Sequence, residues 1–194
     1  MHHEEDQQVV AAVLAGDVNA FSILVARYQK PVFNLMLRMT GSQEDAVDLA
    51  QETFLKAYEQ LHRFRRDRKF FTWLYTIGLN HARNFLRRSK ASRSLFVEDN
   101  DAEPAVDRPD QNEDNICMQL DSRRLQEALR LLPVDYREAV VLRYHQELSM
   151  EDVAQALEIS VSGAKMRVHR GLKKLKDLLE KNHHENENLA SSTG

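Results

Sequence analysis

Ser162, Lys165, Met166, His169 and Arg170 recur at helical spacing within one short basic stretch. Side chains of these types on one helix face can reach base edges in the major groove of DNA. A reading helix needs a second helix to hold it, and the preceding residues supply one. Ser149 can cap a helix in which Asp152 reaches back to the open backbone donors as in a capping box, while Val153, Ala156 and Leu157 share the inner face. A turn at Glu158 and Ile159 leads to a second cap at Ser160, and Ile159, Ala164 and Val168 fall on the side facing the first helix. The segment reads as a helix-turn-helix with a basic second helix. An ordinary helical hairpin with a solvated charged face shows the same pattern, so the motif needs its context.

The overall charge gives no hint of a polyanion partner, with 27 Lys and Arg against 30 Asp and Glu. The charges are segregated, however. Arg63, Arg65, Arg66, Arg68, Lys69, Arg83, Arg87, Arg88, Lys90 and Arg93 face the single acid Asp67. Between 94 and 118 the acids Glu98, Asp99, Asp101, Glu103, Asp107, Asp110, Glu113 and Asp114 face the single base Arg108. Residues 165–181 are basic again. Two basic surfaces joined by an acidic tether suggest two contact points on one polyanion. Cys117 is the only cysteine, which excludes an intramolecular disulfide and a thiolate zinc cluster and fits a reducing cytoplasm. No apolar run approaches the roughly 20 residues of a membrane span, and no signal peptide is evident.

The elements that must position these residues are all helical. Apolar residues follow the helical period, no alternating run suggests a strand, and 6 Gly and 4 Pro serve the turns. A first helix is expected over 5–15, with Gly16 as its stop. A second starts near Asn19, carries Phe21, Leu24, Val25 and Tyr28, and breaks or kinks at Pro31 before continuing through Leu35 and Met39 to Gly41. Ser42 and Asp45 open a third, to about Leu61. Val47, Ala50, Phe54, Ala57, Tyr58 and Leu61 should form its inner face, with Asp45, Asp48, Glu52, Lys56 and Glu59 opposite and Gln51 and Leu55 at the edge. After a loop, Phe70, Phe71, Trp73 and Tyr75 open a fourth helix whose Asn80, Arg83, Asn84, Arg87 and Arg88 make one cationic face. The aromatics at this spacing read first as core. The fold class is therefore all-α, with two small helical domains at 1–92 and 119–182, a flexible acidic linker at 93–118 and a disordered tail at 183–194.

Two motifs now coincide. The run Asp45-Ala46-Val47-Asp48-Leu49-Ala50-Gln51-Glu52-Thr53-Phe54-Leu55, followed by Phe71-Thr72-Trp73-Leu74-Tyr75 and residues 80–88, closely resembles region 2 of the sigma-70 family. The C-terminal helix-turn-helix resembles region 4. Only these two regions are present, an arrangement similar to the extracytoplasmic-function (ECF, group 4) sigma factors. The resemblance implies a non-catalytic specificity subunit without cofactor or metal. Asp45, Asp48, Gln51, Glu52 and Leu55 would dock on the clamp helices of the largest subunit of core RNA polymerase, with the flap region as a further contact. Phe64, Arg65, Arg66, Arg68, Lys69, Asn80, Arg83, Asn84, Arg87 and Arg88 would engage the minus-10 element, with Asn80, Phe64 and the loop before Phe70 forming a pocket for an extruded base. Ser160, Ser162, Gly163, Lys165, Met166, His169 and Arg170 would face the minus-35 major groove, with Arg167 and Lys173 on or near phosphates and Lys165 and Arg170 as guanine readers. The resemblance further implies promoter DNA as a partner, an anti-sigma factor that is often membrane-bound, cytoplasmic location or retention at the inner membrane, and a stress or envelope response.

The chain departs from the family in places. Loop 65–69 is strongly basic where a small, acidic or hydroxyl-bearing run is common, which favours salt-dependent backbone contact and leaves base choice open. Leu74 replaces the second tryptophan of primary sigma factors, so the melting wedge is weaker. Ser162-Gly163-Ala164 stands for the common Gly-Thr-Val. The competing reading is a stand-alone helix-turn-helix repressor or activator. An enzyme reading rests on Glu59-x-x-His62 alone, which has di-iron ligand spacing but no second copy.

Overall fold

A computed structural model describes residues 3–95 and 123–191, all in helices and the turns between them. The helices are α1 (His3–Leu14), α2 (Phe21–Thr40), α3 (Gln43–Glu59), α4 (Phe70–Leu95), α5 (123–131), α6 (Val134–Val140), α7 (Met150–Leu157) and α8 (Val161–Ser191). Short 3-10 turns at Val18–Ala20 and Leu61–Arg63 join the early helices, and a π-helical turn, Val141–His145, continues α6. None of the described helices is long and apolar enough to cross a membrane. Most of the expected acidic linker, with Cys117, lies outside the described residues.

Helices α2, α3 and α4 pack on one another, with α1 laid across α2. The sequence expectations for the caps hold: Gly41 takes a left-handed φ of 77° and donates its N–H to the Leu37 carbonyl at 2.8 Å, and Ser42 accepts from the Asp45 N–H. Pro31 neither breaks α2 nor ends it. A proline inside a helix costs about 3 kcal/mol, and the buried stripe of Leu24, Tyr28, Val32, Leu35, Met36 and Met39 outweighs that. In α3 the inner row is Ala46, Leu49, Ala50, Thr53 and Ala57, whereas Val47 and Tyr58, expected inside, are 40% and 39% exposed. Small residues win the inner face because they let α3 approach α2 and α4 closely. On α4, Gly78 serves the same approach, its position leaving 3.0 Å to the Met36 methyl for any added Cβ.

In the C-terminal half, α8 packs on both α6 and α7. Ala164, Val168, Gly171 and Leu175 form its buried row. At Gly171 an added Cβ would lie 2.6 Å from the Val140 side chain and 3.2 Å from the Tyr136 carbonyl oxygen. Alanine gains about 1 kcal/mol of helix propensity over glycine, but overpacking costs about 1–3 kcal/mol, and a backbone oxygen yields little. Gly171→Ala is therefore expected to destabilise this half by about 1–2 kcal/mol in chemical denaturation; a stabilised variant would contradict the packing. Helix α8 runs on to Ser191, past the expected end near Asn182, and α4 continues to Leu95, into the expected linker. Extending a formed helix adds one hydrogen bond per residue with no new nucleation cost, so apolar periodicity is a poor guide to where it stops.

The two halves share one apolar core cluster. Arg137 of α6 shows why they meet. Its buried guanidinium donates to the carbonyls of Met39, Arg130 and Leu132, so it caps the end of α2 and the end of α5 together. Gln126 of α5 adds a bond to the Leu37 carbonyl at 3.1 Å. Burial and the neighbouring Arg130 push the Arg137 guanidinium down to about 10. Arg137→Ala strands buried carbonyls at an expected cost of about 3 kcal/mol, measurable as a lowered denaturation midpoint; a shift under a third of that would contradict the capping role.

Candidate nucleic-acid interface

Two cationic helix faces and one acidic face make up the site. On α8, Ser160, Ser162, Lys165, Met166, His169, Arg170 and Lys173 are all exposed on the side opposite Ala164 and Val168. Ser160 caps the helix by accepting the Gly163 N–H at 3.1 Å, which points the first backbone donors outward. Arg167 is the exception: it leans back to Asp135 of α6 at 3.6 Å. The supporting helix α7 is capped by Ser149, which accepts the Asp152 N–H at 3.1 Å. The turn between α7 and α8 places Glu158 at φ 55°, a left-handed conformation that glycine would hold at lower cost.

On α4, Asn80, Asn84, Arg87 and Arg88 are exposed along one face. Asn80 Oδ1 accepts from Arg83 at 2.8 Å, and Asn84 Oδ1 from Arg87 at 3.1 Å, so the amides are held in place by the guanidiniums beside them. In the preceding loop Arg65 grips Asp67 through two bonds, 3.1 and 2.7 Å, and holds that carboxyl below the usual range. Gln7 of α1 donates to the Arg66 carbonyl, which ties the loop to the bundle. Arg65 and Arg66 remain exposed, and Arg68 is half-buried.

Phe64 was expected in the base pocket and is instead 8% exposed, packed against Phe70 and Trp73 with ring centroids 5.6 and 5.3 Å away. A buried ring in this cluster cannot receive a base. Phe71, Tyr75 and Leu74 are core as well, at 2%, 4% and 0% exposure. Lys69 and Arg83 are half-buried, and each is paired with an acid of the C-terminal half. Lys69 Nζ donates to both carboxylate oxygens of Asp152, at 2.8 and 3.0 Å, and Arg83 donates from Nε and Nη2 to Glu138 at 2.6 and 2.7 Å. Asp152 therefore turns across to the N-terminal half; its carboxylate takes the Ser149 hydroxyl and Lys69 rather than closing the expected capping box. Burial pushes the Glu138 carboxyl up, while the Arg83 guanidinium pulls it back. Tyr75 donates to Gln146 at 2.9 Å in the same seam.

Sequence reading missed Glu138, Gln146 and Thr76. One signal was present: helical spacing puts Glu138 on the face of Val134, Val141 and Leu142, and an acid at a buried helical position requires a partner. On α3, Asp48, Gln51, Glu52 and Leu55 lie exposed together, Leu55 at 62%, with Asp45 half-buried at the first turn. Glu52 sits 3.3 Å from His81 of α4. Glu59, half of the metal-like pair, accepts from Lys56 at 2.9 Å instead.

Residues 24–92 match Sigma-70 region 2, and residues 122–175 match Sigma-70, region 4. The RNA polymerase sigma-H factor of Pseudomonas aeruginosa is 35% identical over 178 residues, covering 86% of this chain and 90% of that protein. The ECF RNA polymerase sigma factor SigW of Bacillus subtilis is 34% identical over 177 residues, covering 88% and 94%. Among solved structures, CnrH in complex with the cytosolic domain of CnrY superposes with a TM-score of 0.69 at 27% identity, over 91% of this chain and 97% of that one. RpoE from Bartonella quintana, solved with the anti-sigma factor NepR, shares the fold with a TM-score of 0.66 at 24% identity, over 82% and 96%.

Proposed function

Because the chain belongs to the sigma-70 family, in its ECF group, we propose that it selects promoters by reading a minus-35 element with α8 and a minus-10 element with α4 and loop 65–69. Members of this family are non-catalytic specificity subunits that bind core RNA polymerase and promoter DNA to initiate transcription. The observation that supports the division of labour is the pair of exposed cationic helix faces carried by two different domains. In this reading Lys165 and Arg170 contact guanines, Lys173 and the serine-capped N-terminus of α8 hold phosphates, and Asn80 and Asn84 hold bases that leave the stack during melting. The exposed Asp48, Gln51, Glu52 and Leu55, with Asp45, dock on the polymerase clamp helices.

Control by an anti-sigma factor, cytoplasmic location or retention at the inner membrane, and a role in a stress or envelope response complete the proposal. The complexes in which CnrH and RpoE were solved support the first of these. Sequencing transcripts after overexpression tests promoter selection: the induced genes should share one minus-35 and minus-10 pair at fixed spacing. Induced genes without a shared upstream pair would count against it. A free-standing repressor would instead protect a two-fold symmetric operator without polymerase.

A further inference from the structure

We infer that helix α1 helps set which bases the minus-10 loop accepts: Gln7 holds the central peptide of turn 65–68 in one of its two orientations, and Asp6 seats the helix that carries Gln7. The inference rests on the reading of loop 65–69 as part of the minus-10 reader. Helix α1 lies outside the residues that match either sigma-70 region. It nevertheless touches both the 3-10 turn Leu61–Arg63 and α4, the elements on either side of the loop. Asp6 is 1% exposed, and its carboxylate accepts from Arg27 through one oxygen and from the Tyr28 hydroxyl through the other, at 2.5 Å. Glu5 takes a second N–H of the same guanidinium at 2.8 Å. Burial and the bond to Asp6 push the Tyr28 phenol up, so it stays a donor. A buried carboxylate is stable only where its partners are, which gives α1 one seating on α2. The Tyr28 ring then meets Phe70 at 5.7 Å, and Phe70 packs on Phe64, so the same contacts fix both ends of the loop.

Between those ends the Arg68 N–H donates to the Arg65 carbonyl at 3.0 Å, closing a turn whose central peptide joins Arg66 to Asp67. Such a peptide has two common orientations, types I and II, which leave the path of the chain nearly unchanged. Type II needs a positive φ at Asp67, and Asp67 does not have one. The flip is open to this loop all the same, because Asp is among the few residues that tolerate the left-handed region. Gln7 decides between the two: its Nε2 donates to the Arg66 carbonyl and keeps that carbonyl turned toward α1. The C=O and N–H of a trans peptide point opposite ways, so the Asp67 N–H faces away from α1. A flip would put a carbonyl there, an acceptor in place of a donor, and base edges are told apart by that difference. The pair of Arg65 and Asp67 also braces the turn, but both side chains are exposed and DNA phosphate competes for the guanidinium.

The test uses the full chain with Gln7→Met, which keeps the length of the side chain and removes its donor. Asp6, Val10 and Val13 still seat α1 in this variant. Holoenzyme opens a promoter from the induced set in which each minus-10 position is randomised in turn. At one position or more, the preference for the best base over the others should fall about fivefold, the scale of one neutral hydrogen bond. Affinity for core polymerase and for a minus-35 duplex should stay as in the wild type. In heteronuclear spectra of the free chain the Asp67 amide should move, since it belongs to the peptide that Gln7 holds. Unchanged base preference overturns the inference, and so does a loss that merely follows a lowered thermal midpoint and weaker core binding. Should Gln7→Met lose helicity, Gln7→Glu carries the same comparison, because an ionised carboxylate only accepts. Arg65→Ala with Arg66→Ala separates the two ideas. If this pair alters opening while Gln7→Met leaves base preference intact, the loop remains a reader and the role of α1 fails. If neither changes opening or preference, the loop reading itself fails and takes the inference with it.

Discussion

Replacing Lys165 and Arg170 together with alanine is expected to weaken specific promoter binding by the holoenzyme a hundredfold or more. A good contact from Arg or Lys to guanine discriminates by about 1–3 kcal/mol, so two such contacts account for that loss, about 1.4 kcal/mol per tenfold. The fold should be indifferent. Both side chains are exposed, and the helix is held by Ala164, Val168, Gly171 and Leu175 on the opposite face. The informative comparison is between a promoter from the protein's own regulon and an unrelated duplex. Loss on the first should far exceed loss on the second, because two cations removed from a nonspecific electrostatic contact change affinity and salt slope on all sequences alike. Equal loss on both would reduce α8 to a phosphate-binding helix and remove the claim of base readout.

The second large effect is expected on α3. Asp48→Lys with Leu55→Ala should abolish core polymerase binding, weakening it at least a hundredfold in a fluorescence competition assay. An apolar anchor at the centre of an interface is commonly worth about 2 kcal/mol or more, and a like charge set against a complementary surface costs several more. Leu55 is 62% exposed in the free chain, and a leucine beside a row of carboxylates gains its burial only from a partner. Stability should change little, because the row that holds α3 in the bundle is Ala46, Leu49, Ala50, Thr53 and Ala57. Wild-type affinity in this double variant would move the polymerase contact elsewhere.

Local chemistry was legible in the sequence, and long-range chemistry was not. Ser42, Gly41 and Ser149 act as the caps their residue types announce, since each cap depends on neighbours three or four positions away. The outward face of α8 follows from its period. The inner face of α3 was misjudged because hydrophobicity favours Val47 and Tyr58, whereas close helix packing favours Ala46, Ala50 and Thr53. Phe64 has the chemistry to stack on a base, but Phe70 and Trp73 claim it first. Arg83 with Glu138 and Lys69 with Asp152 join residues 55 and 83 positions apart in sequence. No periodicity encodes such pairs. Only the misplaced acid in the apolar face of α6 betrayed that something had to meet it.

Reconstituted transcription tests the central claim most directly: core RNA polymerase, this chain and one promoter from its regulon, with strand opening followed by a fluorescent base at minus 10. The account predicts opening and transcript only when the chain is present, abolished by Asp48→Lys with Leu55→Ala and restored by neither component alone. Transcript of equal yield without the chain, or a chain that protects the promoter without polymerase and never opens it, would contradict the account.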